Sequence, residues 1–378
     1  MQLKILLFME KMRLYTAGIA DFESIRQDGR IYIDKTELIY RLCHESKFVF
    51  LSRPRRFGKS LLCSTLKYYV QGRKDLFEDL AIAELEKEWK QYPVLHFDMN
   101  GCKDASNAED IMKALDIQLK EYEDVYGKIE KDCTPGMRLS YLIHHTRETT
   151  GMRVVVIIDN YDNPILGFAH KPEWNEVLRI LLEFTQPLKA NDADEQFVFI
   201  TGLTELPYEH TLNNFSRMSH SYQCNTICGI TYDEMISSFE KEIKLLAETN
   251  ECFEEEIIEK LHLQYGGYRF GNEKTTLFNP YCLMKAFETK RLGYYWGTNE
   301  LTSFLKKQLK HTDNSWNQFR ERKVGAHSFY QPLVSGSSFS MLYENGIITI
   351  KDYDFDVDMY TVGFPNVEAK ELFSQLNA

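Results

Sequence analysis

The fold can be predicted from one stretch, Lys47-Phe-Val-Phe-Leu-Ser-Arg-Pro-Arg-Arg-Phe-Gly-Lys-Ser60. An apolar run at residues 48–51 leads into a basic turn that closes on Gly58-Lys59-Ser60, and apolar side chains at helical spacing follow. This order predicts a strand, a phosphate-binding loop and a helix. Backbone N–H groups at a helix N-terminus carry the positive end of the helix dipole and favour an anion. The alternative is a basic helix cap without a ligand.

The residue types in the loop match roles in nucleotide binding. Gly58 lets the backbone approach the phosphates, Lys59 can reach the outer phosphates, and the Ser60 hydroxyl can ligate Mg²⁺. The full pattern also has a glycine five residues before Gly58, where this chain has Arg53. The predicted nucleotide-binding residues of the loop are Arg53, Pro54, Arg55, Arg56, Phe57, Gly58, Lys59, Ser60 and Leu61.

Length and composition indicate a globular chain. The 378 residues suggest two or three packed units, and 43% hydrophobic and 27% charged content carries no signature of disorder. A net charge of −11 argues against a general nucleic-acid-coating surface, because phosphate neutralisation needs clustered Lys and Arg. The eight cysteines lack paired Cys-x-x-Cys spacing, and the apolar run at residues 3–9 is too short to span a membrane. We therefore expect a cytoplasmic protein with reduced thiols and no membrane contact.

Strands and helices are predicted to alternate over the first 200 or so residues. Further strands are predicted at residues 93–98, 154–159 and 197–201, with helices between them. The run at 154–159 is apolar throughout, which suits a sheet buried on both faces. The fold class is therefore α/β, with a parallel sheet flanked by helices and the phosphate loop at the C-terminal end of a strand. Residues 18–46 could cover the base of a bound nucleotide, or contain an ordinary packing helix.

A nucleotide site of this kind needs a carboxylate at a strand end to hold Mg²⁺. Asp159 ends the most hydrophobic strand, and we predict that it binds Mg²⁺ together with Ser60; a helix or turn cap is the alternative. The next residue would normally be an acid that positions the attacking water. It is Asn160, an amide that can orient water but cannot accept its proton. Asp162 would lie on the same face if the backbone stayed extended, or it is a turn residue before Pro164.

Two more positions complete the predicted site. Thr204, or alternatively Thr201, could sense the γ-phosphate from the tip of the next strand, although Thr is also common in strands for its own sake. Arg269 could reach back to the phosphates from a later turn, or be a surface arginine. The predicted catalytic residues are thus Asn160, Asp162 and Thr204, the predicted metal ligands are Ser60 and Asp159, and Arg269 joins the nucleotide-binding set.

Five motifs together resemble the bacterial AAA-ATPase-like family. They are Ile31-Tyr-Ile-Asp-Lys-Thr36, Phe50-Leu-Ser-Arg-Pro-Arg-Arg-Phe-Gly-Lys-Ser-Leu-Leu62, Ile158-Asp-Asn-Tyr-Asp-Asn-Pro-Ile165, Tyr265-Gly-Gly-Tyr-Arg-Phe270, and Ile350-Lys-Asp-Tyr353 with Gly363-Phe-Pro-Asn366. The resemblance begins near Gly18, and it implies that Arg53 in place of the first glycine is a family feature. It also implies a core that binds ATP and Mg²⁺, a helical lid and a small winged-helix-like α+β module. Family members usually continue into a PD-(D/E)XK nuclease-like domain, which we do not expect within this sequence.

The chain departs from the family pattern at two motifs. The second motif typically reads Asp-Glu-Tyr-Asp-Lys-Pro, whereas Asn160 and Asn163 occupy the acid and lysine positions here. After Thr201-Gly202 the family usually has Val-Ser-Lys-Phe, whereas Glu205 stands at the lysine position. The resemblance with these departures implies ATP and Mg²⁺ binding with weak or absent hydrolysis, and hence a nucleotide-dependent conformational switch. The alternative is a non-catalytic protein- or DNA-binding module with a vestigial nucleotide site.

The predicted organisation has four segments. They are an N-terminal extension (1–17), a P-loop ATPase-like core (18–230), a helical lid (231–312) and a winged-helix-like C-terminal module (313–378). A nucleotide is the predicted ligand, and the sequence leaves open a protein partner, a homo-oligomer and a contact with nucleic acid.

Overall fold

The computed structural model describes residues 13–129, 133–204, 215–221, 224–297, 299–312, 319–330 and 337–377. Residues 1–12 of the predicted extension and Glu205 lie outside these ranges. The described part of the chain contains no helix that is both long enough and apolar enough to cross a membrane.

A parallel sheet forms the centre of the first half of the chain. Within the described residues it has five strands in the order β2-β3-β4-β1-β5, and all neighbouring pairs are parallel. The C-terminal ends of β1, β3 and β4 therefore meet at one edge of the sheet, where α/β proteins bind ligands. The predicted α/β class is confirmed. The strands are β1 (Phe48–Ser52), β2 (Val94–Asp98), β3 (Val154–Asp159), β4 (Glu195–Gly202) and β5 (Ser216–Arg217).

Helices cover both faces of the sheet because the side chains of each strand alternate between two apolar cores. Val155 and Ile157 of β3 pack in one core with Leu62 of the helix that follows the loop, and Val156 and Ile158 pack in the other. The first core includes residues of α1 (Phe22–Gln27), α2 (Thr36–Glu45), α3 (Lys59–Val70) and α4 (Ala81–Leu85). The second includes residues of α5 (Ala108–Tyr126), α6 (Pro135–Thr150), α7 (Asn163–Leu166), α8 (Trp174–Thr185) and α9 (Pro187–Ala190).

The second half of the chain is mainly helical and ends in a small antiparallel sheet. Its helices are α10 (Tyr232–Thr249), α11 (Glu254–Tyr265), α12 (Pro280–Thr289) and α13 (Asn299–Leu309), and β6 (Ile230–Thr231) pairs with β7 (Leu277–Phe278). The described C-terminal elements are β8 (Arg322–Gly325), α14 (Ser338–Glu344), β9 (Thr349–Asp354), β10 (Met359–Gly363) and α15 (Val367–Asn377). Among them β10 lies between β8 and β9.

The lid helices and the C-terminal module share one apolar core. Phe239 and Leu261 of the lid belong to the same buried cluster as Leu342 and Leu372 of the module. The two segments therefore support each other, and the boundary at residue 312 stays a prediction.

Candidate functional site

The loop between β1 and α3 reverses the chain with two residues in left-handed conformation. Arg56 has φ of 66° and Gly58 has φ of 91°. A glycine at position 58 adopts this conformation without the strain that a side chain would add. Because α3 begins at Lys59, the unpaired N–H groups of its first turn lie at the loop, which is the arrangement that binds anions.

The Lys59 ammonium lies inside the loop. Its Nζ donates to the carbonyl oxygens of Arg53 at 2.9 Å and Pro54 at 3.1 Å, and the side chain is buried. Burial lowers the pKa of Lys59, and the carboxylates of Asp159 and Asp162 act in the opposite direction. The loop thus holds a buried cation beside two acids, where a phosphate would neutralise it.

Asp159 faces the first turn of α3. Its carboxylate forms a hydrogen bond with the Ser60 side chain, and burial raises its pKa to about 6. Its Oδ1 is buried without a hydrogen-bond partner among the described residues. An unpartnered oxygen of this kind is costly unless a ligand contacts it, and a hard cation such as Mg²⁺ prefers oxygen ligands. Ser60 and Asp159 therefore fit the predicted metal site.

The extended backbone does not continue through Asn160 to Asp162, because the strand ends at Asp159 and the backbone turns there. Asn160 has φ of 53°, and its Nδ2 donates to Asp98 Oδ1 at 3.3 Å. Asp162 is buried, and its Oδ2 accepts from the backbone N–H groups of Leu203 at 2.8 Å and Thr204 at 2.7 Å. Asp162 Oδ2 thus ties the end of β3 to the end of β4, and the role of Asp162 as a replacement for the missing acid stays a prediction.

The threonines predicted as γ-phosphate sensors bond to protein atoms instead. The Thr204 hydroxyl donates to Glu344 Oε1 of α14 at 2.7 Å, and the Thr201 hydroxyl donates to the Leu51 carbonyl at 2.7 Å. Both side chains are buried and neither lines the cleft described below. Thr204 therefore joins the core to the C-terminal module, and the structure does not bring it to the loop.

Two of the predicted phosphate-binding arginines are also turned away from the cleft. Arg53 is buried and donates to the carbonyls of Ser52, Ser219 and Cys224. Arg269 donates to the Gly271 and Lys351 carbonyls at 3.0 Å and also contacts the Asn272 carbonyl. Both guanidinium groups donate to backbone carbonyls and not toward the cleft, so both predictions are corrected. Arg53 supports the loop from the side opposite the cleft, and Arg269 links the lid to β9.

The back of the loop packs against aromatic side chains of the lid. Phe57 is buried with edge-to-face contacts to Tyr268 and Phe270, and the Arg53 guanidinium lies 4.4 Å from the Phe270 ring. Pro54 lies close to Gly346, where an added Cβ would come within 3.0 Å of the Pro54 side chain. Arg53, Pro54 and the rear of Phe57 thus belong to a packed interface.

The front of the loop opens into a cleft of about 710 Å³, a size typical of small-molecule sites. Arg56 stacks on Tyr281 of α12 at 4.0 Å, and Arg55 lies 5.1 Å from the Phe304 ring of α13. The wall is formed by the N-terminal segment (Gly18, Ile19, Ala20, Tyr32, Ile33, Lys35), the loop (Arg55 to Leu61), the ends of β2 and β3 (Asn100, Lys103, Asn160, Asp162, Asn163) and the lid (Pro280, Tyr281, Met284, Phe304). Among these, the lid residues, Asn100, Lys103 and Asn163 were not predicted as site residues.

Comparisons with known proteins show a family and several similar proteins. A family model described as "Predicted AAA-ATPase" matches residues 16–210. The chain is 27% identical over 364 residues to "Uncharacterized protein in vnfD 5'region" of Azotobacter chroococcum mcd 1, with 93% of this chain and 67% of that protein covered. Two solved structures from Aeropyrum pernix are also similar. They are the ORC2 protein in ADPNP-ADP complexes (TM-score 0.35, 13% identity, 90% of both chains) and the ORC1 protein in complex with DNA (TM-score 0.30, 10% identity, 91% of this chain and 93% of that one).

Proposed function

The chain belongs to the predicted AAA-ATPase family, and from that premise we propose that it binds ATP with Mg²⁺ in the cleft and hydrolyses it weakly. We further propose that bound nucleotide fixes the lid against the core, so that the protein acts as a conformational switch. The observation that carries the proposal is the contact between Ser60 and Asp159, beside the buried Lys59 ammonium.

The charges around the loop support a phosphate ligand. Lys59 is buried against two backbone carbonyls, which satisfy it only in part because an ammonium has three donors. A phosphate oxygen at the N-terminus of α3 would add a charge-assisted hydrogen bond and would meet the helix dipole.

The metal would be held by few protein groups. The described residues contain no cluster of three His, Cys, Asp or Glu side chains suited to a cation. Mg²⁺ commonly keeps several waters and binds through one or two protein oxygens together with substrate phosphates. Ser60 and Asp159 are sufficient for that mode, and bound Mg²⁺ would neutralise charge on the phosphates.

The switch is supported by contacts that cross the cleft. Arg55 and Arg56 of the loop face Phe304 and Tyr281 of the lid, so a nucleotide that moved the loop would change these contacts. Weak hydrolysis is supported by Asn160, which cannot take a proton from water.

Thermal unfolding with MgATP tests the proposed binding. A ligand that binds the native state at 100 times its Kd adds about 2.7 kcal/mol to the free energy of unfolding, so the melting temperature should rise by several degrees. Lys59→Ala should abolish the rise, because the loop loses its cation. Lys67→Ala, on the same helix but outside the cleft wall, should keep it.

A wild-type protein whose melting temperature does not respond to MgATP would contradict the proposal. That result would favour the non-catalytic module with a vestigial site. A rise that persisted in Lys59→Ala would place ATP elsewhere on the protein.

A further inference from the structure

Asp98, to which no role was assigned from the sequence, lies at the end of β2 directly beside Asp159. The two residues are paired in the parallel register of β2 and β3. Neighbouring strands are about 4.8 Å apart, and paired residues point to the same face of a sheet. Asp159 points to the face covered by α3, since it contacts Ser60. Asp98 therefore projects on the same face, one strand farther from the loop.

The Asp98 carboxylate is exposed, and its contacts aim it at the cleft wall. Oδ1 accepts from the Asn100 backbone N–H at 2.9 Å and from Asn160 Nδ2 at 3.3 Å. Asn100 and Asn160 both line the cleft. The carboxylate is thus open to solvent and hydrogen-bonded to two residues of the wall, although Asp98 itself is not part of the wall.

The two acids nearest the loop, Asp159 and Asp162, already have other partners or another predicted role. Asp162 is 1% exposed, and its Oδ2 accepts two backbone N–H groups at the junction of β3 and β4, so that oxygen is not available to a ligand. Asp159 is the predicted metal ligand. Asp98 differs from both because its carboxylate is open to solvent. Its Oδ2 accepts only from Asn100 Nδ2, at 3.3 Å, among the described residues, so an acceptor position remains for water.

We propose that Asp98 is the carboxylate that orients and deprotonates the attacking water, in place of an acid at position 160; this inference rests on the ATP site proposed above. The water oxygen forms a bond to the γ-phosphorus, and the bond from that phosphorus to the bridging oxygen breaks with its electron pair remaining on ADP. The water proton passes to Asp98 and then to solvent. Asn160 is a positioning residue, because its amide N–H holds the carboxylate toward the cleft.

Asp98→Asn is the sharpest variant. Asn keeps the size of the side chain and its ability to cap the short helix Met99–Cys102, where Asp98 accepts from the Asn100 N–H, but it cannot take a proton. We expect kcat to fall by about 100-fold or more with KM nearly unchanged, because general-base catalysis contributes roughly 10²–10⁴-fold. Asp98→Glu should restore part of kcat. Asp104→Asn, an exposed acid outside the cleft wall, is the matched control and should behave like wild type.

A second readout does not depend on turnover. ADP with Mg²⁺ and aluminium fluoride mimics the transition state, whereas ADP with beryllium fluoride mimics bound ATP. Asp98→Asn should bind the aluminium fluoride complex at least tenfold more weakly than wild type and bind the beryllium fluoride complex equally well, because only the former includes the oriented water.

The outcomes separate the two proposals. Equal kcat and equal aluminium fluoride affinity in wild type and Asp98→Asn would overturn the role of Asp98 while leaving the ATP site intact. Wild-type turnover no greater than that of Lys59→Ala would also overturn it, even if ATP binds. Failure of the wild type to bind either fluoride complex would refute the ATP site, and the role of Asp98 with it.

Discussion

Two buried carboxylates lie at opposite ends of the same sheet, and they differ in what surrounds them. Asp159 ends β3 beside the Ser60 hydroxyl and the Lys59 ammonium, whereas Glu195 begins β4 with neither carboxylate oxygen hydrogen-bonded among the described residues. Burial raises the pKa of both groups, to about 6 for Asp159 and about 8 for Glu195. A raised pKa alone therefore does not distinguish a binding site. What distinguishes Asp159 is its surroundings, since its neighbours Lys59, Ser60 and Asn160 all line the cleft, whereas no residue next to Glu195 in the sequence does.

The largest effect, on the pH dependence of the free energy of unfolding, is expected at Glu195. Its ordinary pKa is 4.5 and its pKa in the folded protein is about 8, because the ionised form is desolvated. The native state therefore binds more protons than the unfolded chain between these values, and the free energy of unfolding falls as the pH rises from about 4.5 to about 8. The loss amounts to at most about 5 kcal/mol. Glu195→Gln, which cannot ionise, should lose this pH dependence.

Urea denaturation of wild type and Glu195→Gln between pH 4.5 and pH 9 measures this effect. The difference between the two free energies of unfolding should grow with pH in favour of the variant. Glu240→Gln, an exposed glutamate on α10, is the control and should stay within about 0.5 kcal/mol of wild type throughout. Parallel pH profiles for wild type and Glu195→Gln would mean that Glu195 is solvated or paired in solution.

An intermediate effect, on MgATP affinity, is expected at Asp159, at the other end of the sheet from Glu195. Asp159→Asn should weaken MgATP binding by about 10- to 100-fold, the range seen when a group that supports a metal is removed. Affinity for ATP in the presence of EDTA should change little, because Lys59 and the helix N-terminus remain. Calorimetric titration with and without Mg²⁺ measures both values. A similar loss in EDTA would show that Asp159 acts on the loop and not on the metal.

The same contrast explains how far the sequence could predict the site. Gly58, Lys59, Ser60 and Asp159 lie at the ends of the predicted strands and helix, because strand, turn and helix patterns are local and the ends of parallel strands meet at one edge. Their roles in binding stay predictions. Asp98 also ends a predicted strand with an acid, as Asp159 does. The sequence alone was therefore enough to name Asp98 as a candidate site residue.

The residues that were placed wrongly depend on partners far away in the chain. Thr204 bonds to Glu344, Arg53 to Cys224 and Arg269 to Lys351, which are contacts across 140, 171 and 82 residues. No local pattern specifies such partners. For Asp162 only the extended backbone was predicted wrongly, since the left-handed turn at Asn160 ends the strand before this residue.

The smallest effect, on ATP affinity, is expected where the lid meets the loop. Tyr281→Leu removes the ring on which Arg56 stacks while keeping an apolar side chain, and a cation–π contact of this kind contributes about 0.5–2 kcal/mol. If nucleotide binding draws lid and loop together, ATP affinity should fall about 2- to 10-fold in this variant. The ratio of affinities with and without Mg²⁺ should stay as in wild type, because the contact that is removed is with Arg56 and not with a proposed metal ligand.

Tyr232→Leu is the matched control, since Tyr232 is an exposed tyrosine at the start of α10 and is not part of the cleft wall. Its ATP affinity should equal that of wild type. Equal affinities in all three proteins would show that the lid is already fixed against the core before nucleotide binds, which would contradict the switch. If the Mg²⁺ dependence of ATP affinity changed in Tyr281→Leu, the lid contact and the metal site would be coupled. The loop would then carry the effect of the lost contact from Arg56 to Ser60.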